Sequence, residues 1–186
     1  EGIQFLKKKE ILSYEEILRL LRVMASLGIS KVRLTGGEPF LRKDFMSLVE
    51  QISVLEGIQH IHLTTNGTLT APFIPQLKSL GIRSVNLSLD SLDRHAFYTM
   101  TRRDELPLVL ETFHQLIEAE IPTKINAVVM AGKNEDQIIP LAQLAQQFPV
   151  SVRFIEEMPF NGQGGNDSFL SHTRILAKLK EAFPDL

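Results

Sequence analysis

Residues 32–42 read VRLTGGEPFLR, and this stretch carries the main clue to the fold. A β-branched and apolar run ends abruptly in two glycines, an acid and a proline, which predicts a strand that turns into a helix. Gly36 and Gly37 lack the Cβ atoms that would hold a ligand away from the backbone. Glu38 supplies a carboxylate suited to an ammonium group, and Pro39 fixes the exit into the next element. A plain turn between strand and helix is the alternative interpretation of such a glycine pair.

Strands and helices alternate along the rest of the chain. A first helix is predicted where Ser13 and Glu16 form an S-x-x-E capping box, and Gly28 closes it. The five predicted strands are KVRLT, IQHIHLTT, RSVNLSLD, TKINAVVM and VSVRFIEEM, with helical patterns between them and a last helix from about Thr173 to Phe183. Strands at this spacing with helices between them indicate right-handed βα units and a parallel sheet in one α/β domain.

The composition is that of an ordinary globular domain. The chain has 186 residues, a net charge of -2 and a pI near 6.2, so it lacks the basic surface of a nucleic-acid binder. No apolar run approaches the roughly 20 residues that a membrane-spanning helix needs. We therefore expect a soluble, cytoplasmic protein with neither nucleic acid nor a membrane as partner. The absence of cysteine excludes disulfides, thiolate nucleophiles and cysteine-held metal sites within these residues.

Each predicted strand has one apolar face and one polar or mixed face. Because side chains alternate across a strand, Val85 and Leu87 share one face while Asn86 and Ser88 share the other, and the other four strands alternate likewise. A parallel sheet covered by helices on both sides would show near-continuous apolar strands instead. One polar face is typical of a complete or partial barrel whose interior holds a ligand.

Four cations lie on this polar face: Lys31, Arg33, Lys124 and Arg153. Buried like charges repel strongly unless an anion neutralises them. The pattern therefore predicts a polyanionic substrate, most simply a phosphate or triphosphate ester. The alternative is that some of these side chains sit at the ends of the sheet as ordinary solvated charges.

Two more polar stretches follow predicted strands, TTNG at 64–67 and SLDS at 88–91. Ligands collect at the carboxyl ends of the strands in open and closed α/β sheets alike. Asn-Gly is also a hairpin signal, but the segment after it does not resemble a returning strand. In the second stretch, Asp90 or Ser91 would alternatively begin the following helix.

Two weaker patterns are a pair of histidines and a glycine-rich loop, and neither identifies a binding site. His60 and His62 share a strand face and could bind a metal ion, but no third ligand is evident. The loop NGQGGND at 161–167 is too loose a pattern to identify a phosphate cradle.

Taken in order and spacing, the stretches VRLTGGEPFLRKDF, LTTNGTL, VNLSLDSLD, KINAVVM and RFIEEM resemble the radical S-adenosylmethionine (SAM) enzymes. The nearest resemblance is to the molybdenum cofactor biosynthesis protein A family, which are GTP cyclases, and it covers essentially the whole chain. It implies a partial (β/α)6 TIM-like barrel with about five of six strands present. Residues 1–186 would then form a single radical SAM core domain, truncated at both ends.

The implied activity is the first step of molybdenum cofactor biosynthesis. A 4Fe-4S cluster reductively cleaves SAM, and the resulting radical starts the conversion of GTP to 3',8-cyclo-7,8-dihydro-GTP. The implied partners are GTP, SAM, an electron donor for the cluster and a downstream cyclic pyranopterin synthase. The sequence leaves open whether the protein forms a homodimer.

Site residues follow from the family's motifs. By resemblance, the SAM-contacting positions are Gly37, Ser88 and Met158, with Gly36 and Glu38 beside them. By the same comparison, the GTP-contacting positions are Arg33, Thr64, Lys124 and Arg153. Lys31 is added to this set because strand alternation places it on the same face.

The chain departs from the family in its cluster ligands. The family holds one cluster with a C-x-x-x-C-x-x-C loop just before the position of Glu1, and a second with three cysteines beyond the position of Leu186. We therefore expect the cluster ligands outside this chain, no catalytic or metal-binding residue within it, and no activity from these residues alone. Two alternatives stay open: another radical SAM enzyme with a different substrate, and a cluster-free nucleotide-binding barrel module.

Overall fold

The computed structural model describes residues 11–158 and 170–184. The helices are α1 (Tyr14–Ser26), α2 (Phe45–Ser53), α3 (Ile74–Ser79), α4 (Arg94–Thr101), α5 (Leu106–Glu118), α6 (Ile138–Gln147) and α7 (His172–Ala182). The strands are β1 (Lys31–Leu34), β2 (His60–Thr65), β3 (Ser84–Ser88), β4 (Thr123–Val129) and β5 (Val150–Glu156). Single 3₁₀ turns at Pro39–Leu41, Ala71–Phe73 and Glu135–Gln137 precede α2, α3 and α6.

The five strands form one sheet in the order β1-β2-β3-β4-β5, and all four pairings are parallel. Neighbours in the chain are therefore neighbours in the sheet, as successive βα units require. This confirms the predicted α/β class and parallel sheet, and the described residues contain the five predicted strands.

Helix starts follow the sequence signals closely at α1 and less closely at α4. The predicted capping box is present, because Glu16 N donates to Ser13 Oγ over 3.2 Å and Ser13 N donates to the Glu16 carboxylate over 2.7 Å. The alternative in which Asp90 or Ser91 begins the next helix is wrong. Asp93 caps α4 instead, with its carboxylate accepting from Ala96 N over 2.7 Å.

Helices cover one face of the sheet. Leu63 of β2 and Val85 of β3 are fully buried in a cluster with residues of α1, α2 and α3. Leu87 of β3 and Ile125 of β4 are fully buried in a second cluster with residues of α5 and α6. The polar residues that alternate with these side chains belong to neither cluster, so the polar face is the one that the helices leave free.

The last helix, His172–Ala182, starts and ends one residue before its predicted bounds. The loop at 161–167 lies outside the described residues, so its weak phosphate pattern stays untested. None of the helices in the described ranges combines the length and the hydrophobicity that crossing a bilayer requires.

Candidate functional site

The strand register aligns the polar side chains in three rows across the sheet. The first row is Arg33, His62 and Ser84; the second is Thr64, Asn86, Lys124 and Ser151; the third is Ser88, Asn126 and Arg153. Paired residues of parallel strands point to the same side of the sheet. The rows therefore bring most of the predicted GTP-contacting side chains, together with Ser88, onto one face.

The four predicted cations share this face but are less buried than the sequence argument assumed. Lys31, Arg33 and Arg153 are exposed, and Lys124 is half-buried. The assumption of buried, repelling charges was therefore wrong for three of them, because solvent reaches the polar face and screens their repulsion.

These cations nevertheless lack counter-charges. Among residues 11–158 and 170–184, none of the four takes part in a salt bridge. The guanidinium of Arg33 makes one long hydrogen bond, 3.4 Å from the carbonyl oxygen of Leu63. The case for an anionic ligand thus rests on unmatched positive charge, not on burial.

Two asparagines on the same face have unsatisfied side-chain oxygens. Asn86 is only 6% exposed, and its Oδ1 is shielded from solvent without a hydrogen-bond partner in the described chain. The Oδ1 atom of half-buried Asn126 is in the same state. Such a group costs about 1–3 kcal/mol if it stays unpaired, so each residue requires an explanation. Sequence reasoning placed both on the polar face but did not assign them to the site.

The glycine loop after β1 leaves open space beside its backbone. Gly36 has φ +154°, a conformation that favours glycine, whereas Gly37 does not have a positive φ in that range. A Cβ added at either position would meet no atom within 4 Å. Neither packing nor backbone conformation within the described chain therefore requires a glycine at position 37.

Glu38 ties this loop to the loop after β2. Its carboxylate accepts from Thr65 Oγ1 over 2.8 Å, from Asn66 N over 2.7 Å and from Phe40 N over 3.3 Å. The half-buried side chain thus links two of the three polar stretches found in the sequence. The partners Thr65 and Asn66 were missed, because nothing in a single sequence pairs loops that are 27 and 28 residues apart.

The loop after β3 is held by the loop after β4. Asn134, 1% exposed, donates through Nδ2 to the carbonyl oxygens of Asp90 and Val128 over 2.8 and 2.9 Å. Its Oδ1 accepts from Met130 N over 2.8 Å. The Asp90 carboxylate accepts from Val128 N over 2.8 Å. Burial raises the pKa of Asp90, and the Val128 N–H partly offsets that rise.

Two predicted SAM-contacting residues lie at the same edge of the sheet. Ser88 is the last residue of β3 and is half-buried. Met158 follows the end of β5 by two residues and is 64% exposed. Both positions therefore lie at the carboxyl ends of strands, where α/β folds bind ligands.

Comparison with known proteins adds independent information. The model of the Radical SAM superfamily matches residues 3–145. Molybdenum cofactor biosynthesis protein 1 of Homo sapiens is 41% identical over 188 aligned positions, which span 100% of this chain and 30% of that protein. A GTP 3',8-cyclase of Syntrophomonas wolfei is 45% identical over 159 positions, spanning 85% of this chain and 49% of that protein.

A solved structure shares the fold. Streptococcus suis SuiB, crystallised with S-adenosylmethionine, matches with a TM-score of 0.72 and 21% identity, covering 94% of this chain and 40% of that one. This likeness confirms the predicted partial-barrel fold class. The chain spans between about a third and a half of the length of the curated relatives described above.

Proposed function

This chain belongs to the radical SAM superfamily, and from that premise we propose that it forms the core of a GTP 3',8-cyclase, the enzyme that starts molybdenum cofactor biosynthesis. The identity of 45% to a protein named for that activity supports the proposal. The observation that carries it is the group of four cations on the polar face that form no salt bridge within the described residues. Such a face suits a triphosphate, whereas a radical SAM substrate without negative charge would form no ion pairs with these cations.

In this proposal the polar face binds GTP. The substrate-binding residues would be Arg33, Thr64, Lys124 and Arg153, with Lys31 at the far end of the face. Thr64 and Lys124 lie in one row of the register, and Arg153 lies in the next row toward the loops. Phosphate oxygens accept several hydrogen bonds at once, which these hydroxyl, ammonium and guanidinium groups can donate.

The loops at the sheet edge would bind SAM. The residues proposed for this are Gly36, Gly37, Glu38, Ser88 and Met158. They fit the cofactor, because the backbone at Gly37 is open to close approach and Ser88 offers a hydroxyl at the edge. Glu38 already accepts three hydrogen bonds, so its carboxylate would meet the ammonium group of SAM in a position that is fixed beforehand.

The cluster does not fit the residues of this chain. The sequence contains no cysteine, and the described ranges hold no group of three histidine or acidic side chains arranged to bind a metal ion. A 4Fe-4S cluster would therefore take its thiolate ligands from residues outside this chain. Bound to such a cluster, SAM would supply the radical chemistry, and we assign no catalytic residue among these 186 positions.

The remaining parts of the proposal concern the cellular setting. The protein would need an electron donor for its cluster, and its product would pass to the cyclic pyranopterin synthase. A cytoplasmic location suits both.

Anaerobic turnover tests the function. The full-length protein that contains this chain is reconstituted with iron and sulfide and is given reductant, SAM and either GTP or ATP. We expect 5'-deoxyadenosine and a cyclised nucleotide with GTP only. SAM cleavage without turnover of GTP would indicate a different radical SAM substrate. Absence of SAM cleavage would favour the cluster-free nucleotide-binding module.

A further inference from the structure

His62 is a buried histidine on the polar face of the sheet, and neither the family resemblance nor the proposed function assigns it a role. The side chain is 8% exposed and points to the polar face in the same row as Arg33. Its Nδ1 lies 2.7 Å from the Oγ of Ser84, which is 7% exposed. The ring is therefore fixed in orientation by the neighbouring strand.

The charged groups that face His62 are all cationic or potentially cationic. They are Lys31 and Arg33 from β1, His60 from β2 and Lys124 from β4. Burial lowers the pKa of His62 most, and these four groups lower it further. No carboxylate among the described residues raises the pKa of His62, so its surroundings favour the neutral imidazole.

We propose that His62 is a further anion-binding residue of the polar face and that it takes up a proton when a triphosphate binds. This inference rests on the proposed function, because it assumes that the same face takes the triphosphate. The phosphates of the ligand place negative charge where only positive charge faced the ring before. That change favours the imidazolium form, which donates from both nitrogens.

The Ser84 contact suits both protonation states. A hydroxyl can donate to Nδ1 or accept from it, so the 2.7 Å contact persists when the ring gains its second proton. In the imidazolium state Nδ1 donates to Ser84 and leaves Nε2–H for the ligand. The Nδ1 contact is the only hydrogen bond of the His62 ring among the residues that the structure describes.

The sign of the pH dependence follows from these states. Burial and the neighbouring cations lower the pKa of His62 from its ordinary value, and in this proposal a bound anion raises it again. At a pH between the pKa of His62 without the anion and its pKa with the anion, binding takes up a proton. Affinity for the anion therefore increases as the pH falls through this interval. Protonation of the terminal phosphate, with a pKa near about 6, acts in the opposite direction. The contribution of His62 is therefore obtained by comparing the pH dependence of triphosphate affinity in the parent protein with that in a variant without the ring.

The direct test is an NMR pH titration of the histidine ring carbons in the intact protein, with and without inorganic triphosphate. The His62 signal is identified by His62→Gln or, should that variant not fold, by its response to Ser84→Ala. We expect the pKa of His62 to rise when triphosphate binds. A pKa that does not change on binding would overturn the inference.

Affinity measurements give the second readout. We expect His62→Gln to weaken triphosphate binding by about tenfold at pH 6 and by much less at pH 8. The matched control is His95→Gln, which removes an exposed histidine on α4 and should change neither value. An equal loss of triphosphate affinity in His62→Gln at pH 6 and at pH 8 would also contradict proton uptake by His62. Repeating the titration with GTP separates the two proposals, because a His62 response to triphosphate with no binding of GTP would contradict only the GTP cyclase function.

Discussion

The loops at the carboxyl edge of the sheet and the polar face beneath them satisfy their polar groups in different ways. At the edge, Glu38 and Asn134 each use their side chains to bridge two loops. On the face, the cations have no ion pairs in the described chain, and Asn86 Oδ1 has no partner there. The edge is therefore organised by the protein itself, whereas the polar groups of the face lack partners within the described residues and would be available to the proposed ligand.

This difference separates the effects of mutation. Removing a bridging side chain at the edge leaves buried groups without partners and lowers the free energy of unfolding. Removing a cation from the face breaks little within the protein, so its cost should appear in ligand binding. Stability measurements should therefore detect changes at the edge, and binding measurements should detect changes on the face.

The largest effect is expected from Asn134→Ala. The change removes all three hydrogen bonds of a buried side chain and should lower the free energy of unfolding by about 3–4 kcal/mol. Urea unfolding measures the loss. The matched control is Asn66→Ala, an exposed residue whose side chain bonds only within its own turn, and it should cost less than about 1 kcal/mol. Equal losses in the two variants would contradict the bridging role of Asn134.

On the face, Arg33→Ala and Lys124→Ala should each weaken GTP binding by about 1.5–3 kcal/mol, or roughly 10- to 150-fold. The physical reason is the loss of one charge-assisted contact to phosphate. Isothermal titration calorimetry measures the affinity, and thermal unfolding should show that the folded state is little changed. Arg94→Ala is the control, since Arg94 pairs with Asp104 on the helical side. Unchanged GTP affinity in both face variants would refute the anion site.

A pair of glycines distinguishes packing from ligand approach. Gly67→Ala places a Cβ 2.6 Å from Leu87 Cδ1 at a φ of +81°, so it should lower the free energy of unfolding by about 2 kcal/mol. Gly37→Ala meets no atom within 4 Å and should leave stability unchanged. Thermal unfolding of the two variants tests this. A clear destabilisation by Gly37→Ala would show that the protein, not a ligand, requires that glycine.

The smallest effect concerns Asp90. Because the folded-state pKa of Asp90 is raised, the native state holds more protons than the unfolded state between the two pKa values. Stability therefore falls as pH rises through this interval, in the acid range above about pH 3.9. Asp90→Asn keeps an acceptor for Val128 N and should be more stable than the parent at pH 7 by less than about 1 kcal/mol. The advantage should vanish near pH 4, and an advantage that grows toward low pH would contradict the assignment.

The sequence was enough to predict the parts of the molecule that depend on local pattern. Alternation along each strand separated the apolar face from the polar face, and spacing predicted five parallel strands. The capping box at Ser13 could also be predicted, because its two partners are three residues apart in the sequence.

Contacts that depend on register or on two distant loops could not be predicted. The pairing of His62 with Ser84 requires knowing how β2 aligns with β3. The role of Asn134 depends on a contact with Asp90, which is 44 residues away. Strand alternation also tells which side of a sheet a cation occupies but not whether anything covers it, which explains the incorrect burial of Arg33 and Arg153.

In the proposed division of the site, the edge binds SAM and the face binds the triphosphate substrate. Its most direct test is to measure SAM affinity and GTP affinity separately for Gly37→Ala and for Arg33→Ala in the full-length protein. We expect Gly37→Ala to weaken SAM binding by about tenfold or more with little change for GTP, and Arg33→Ala to do the reverse. Loss of both ligands in each variant, or unchanged GTP affinity in Arg33→Ala, would contradict the division of the site.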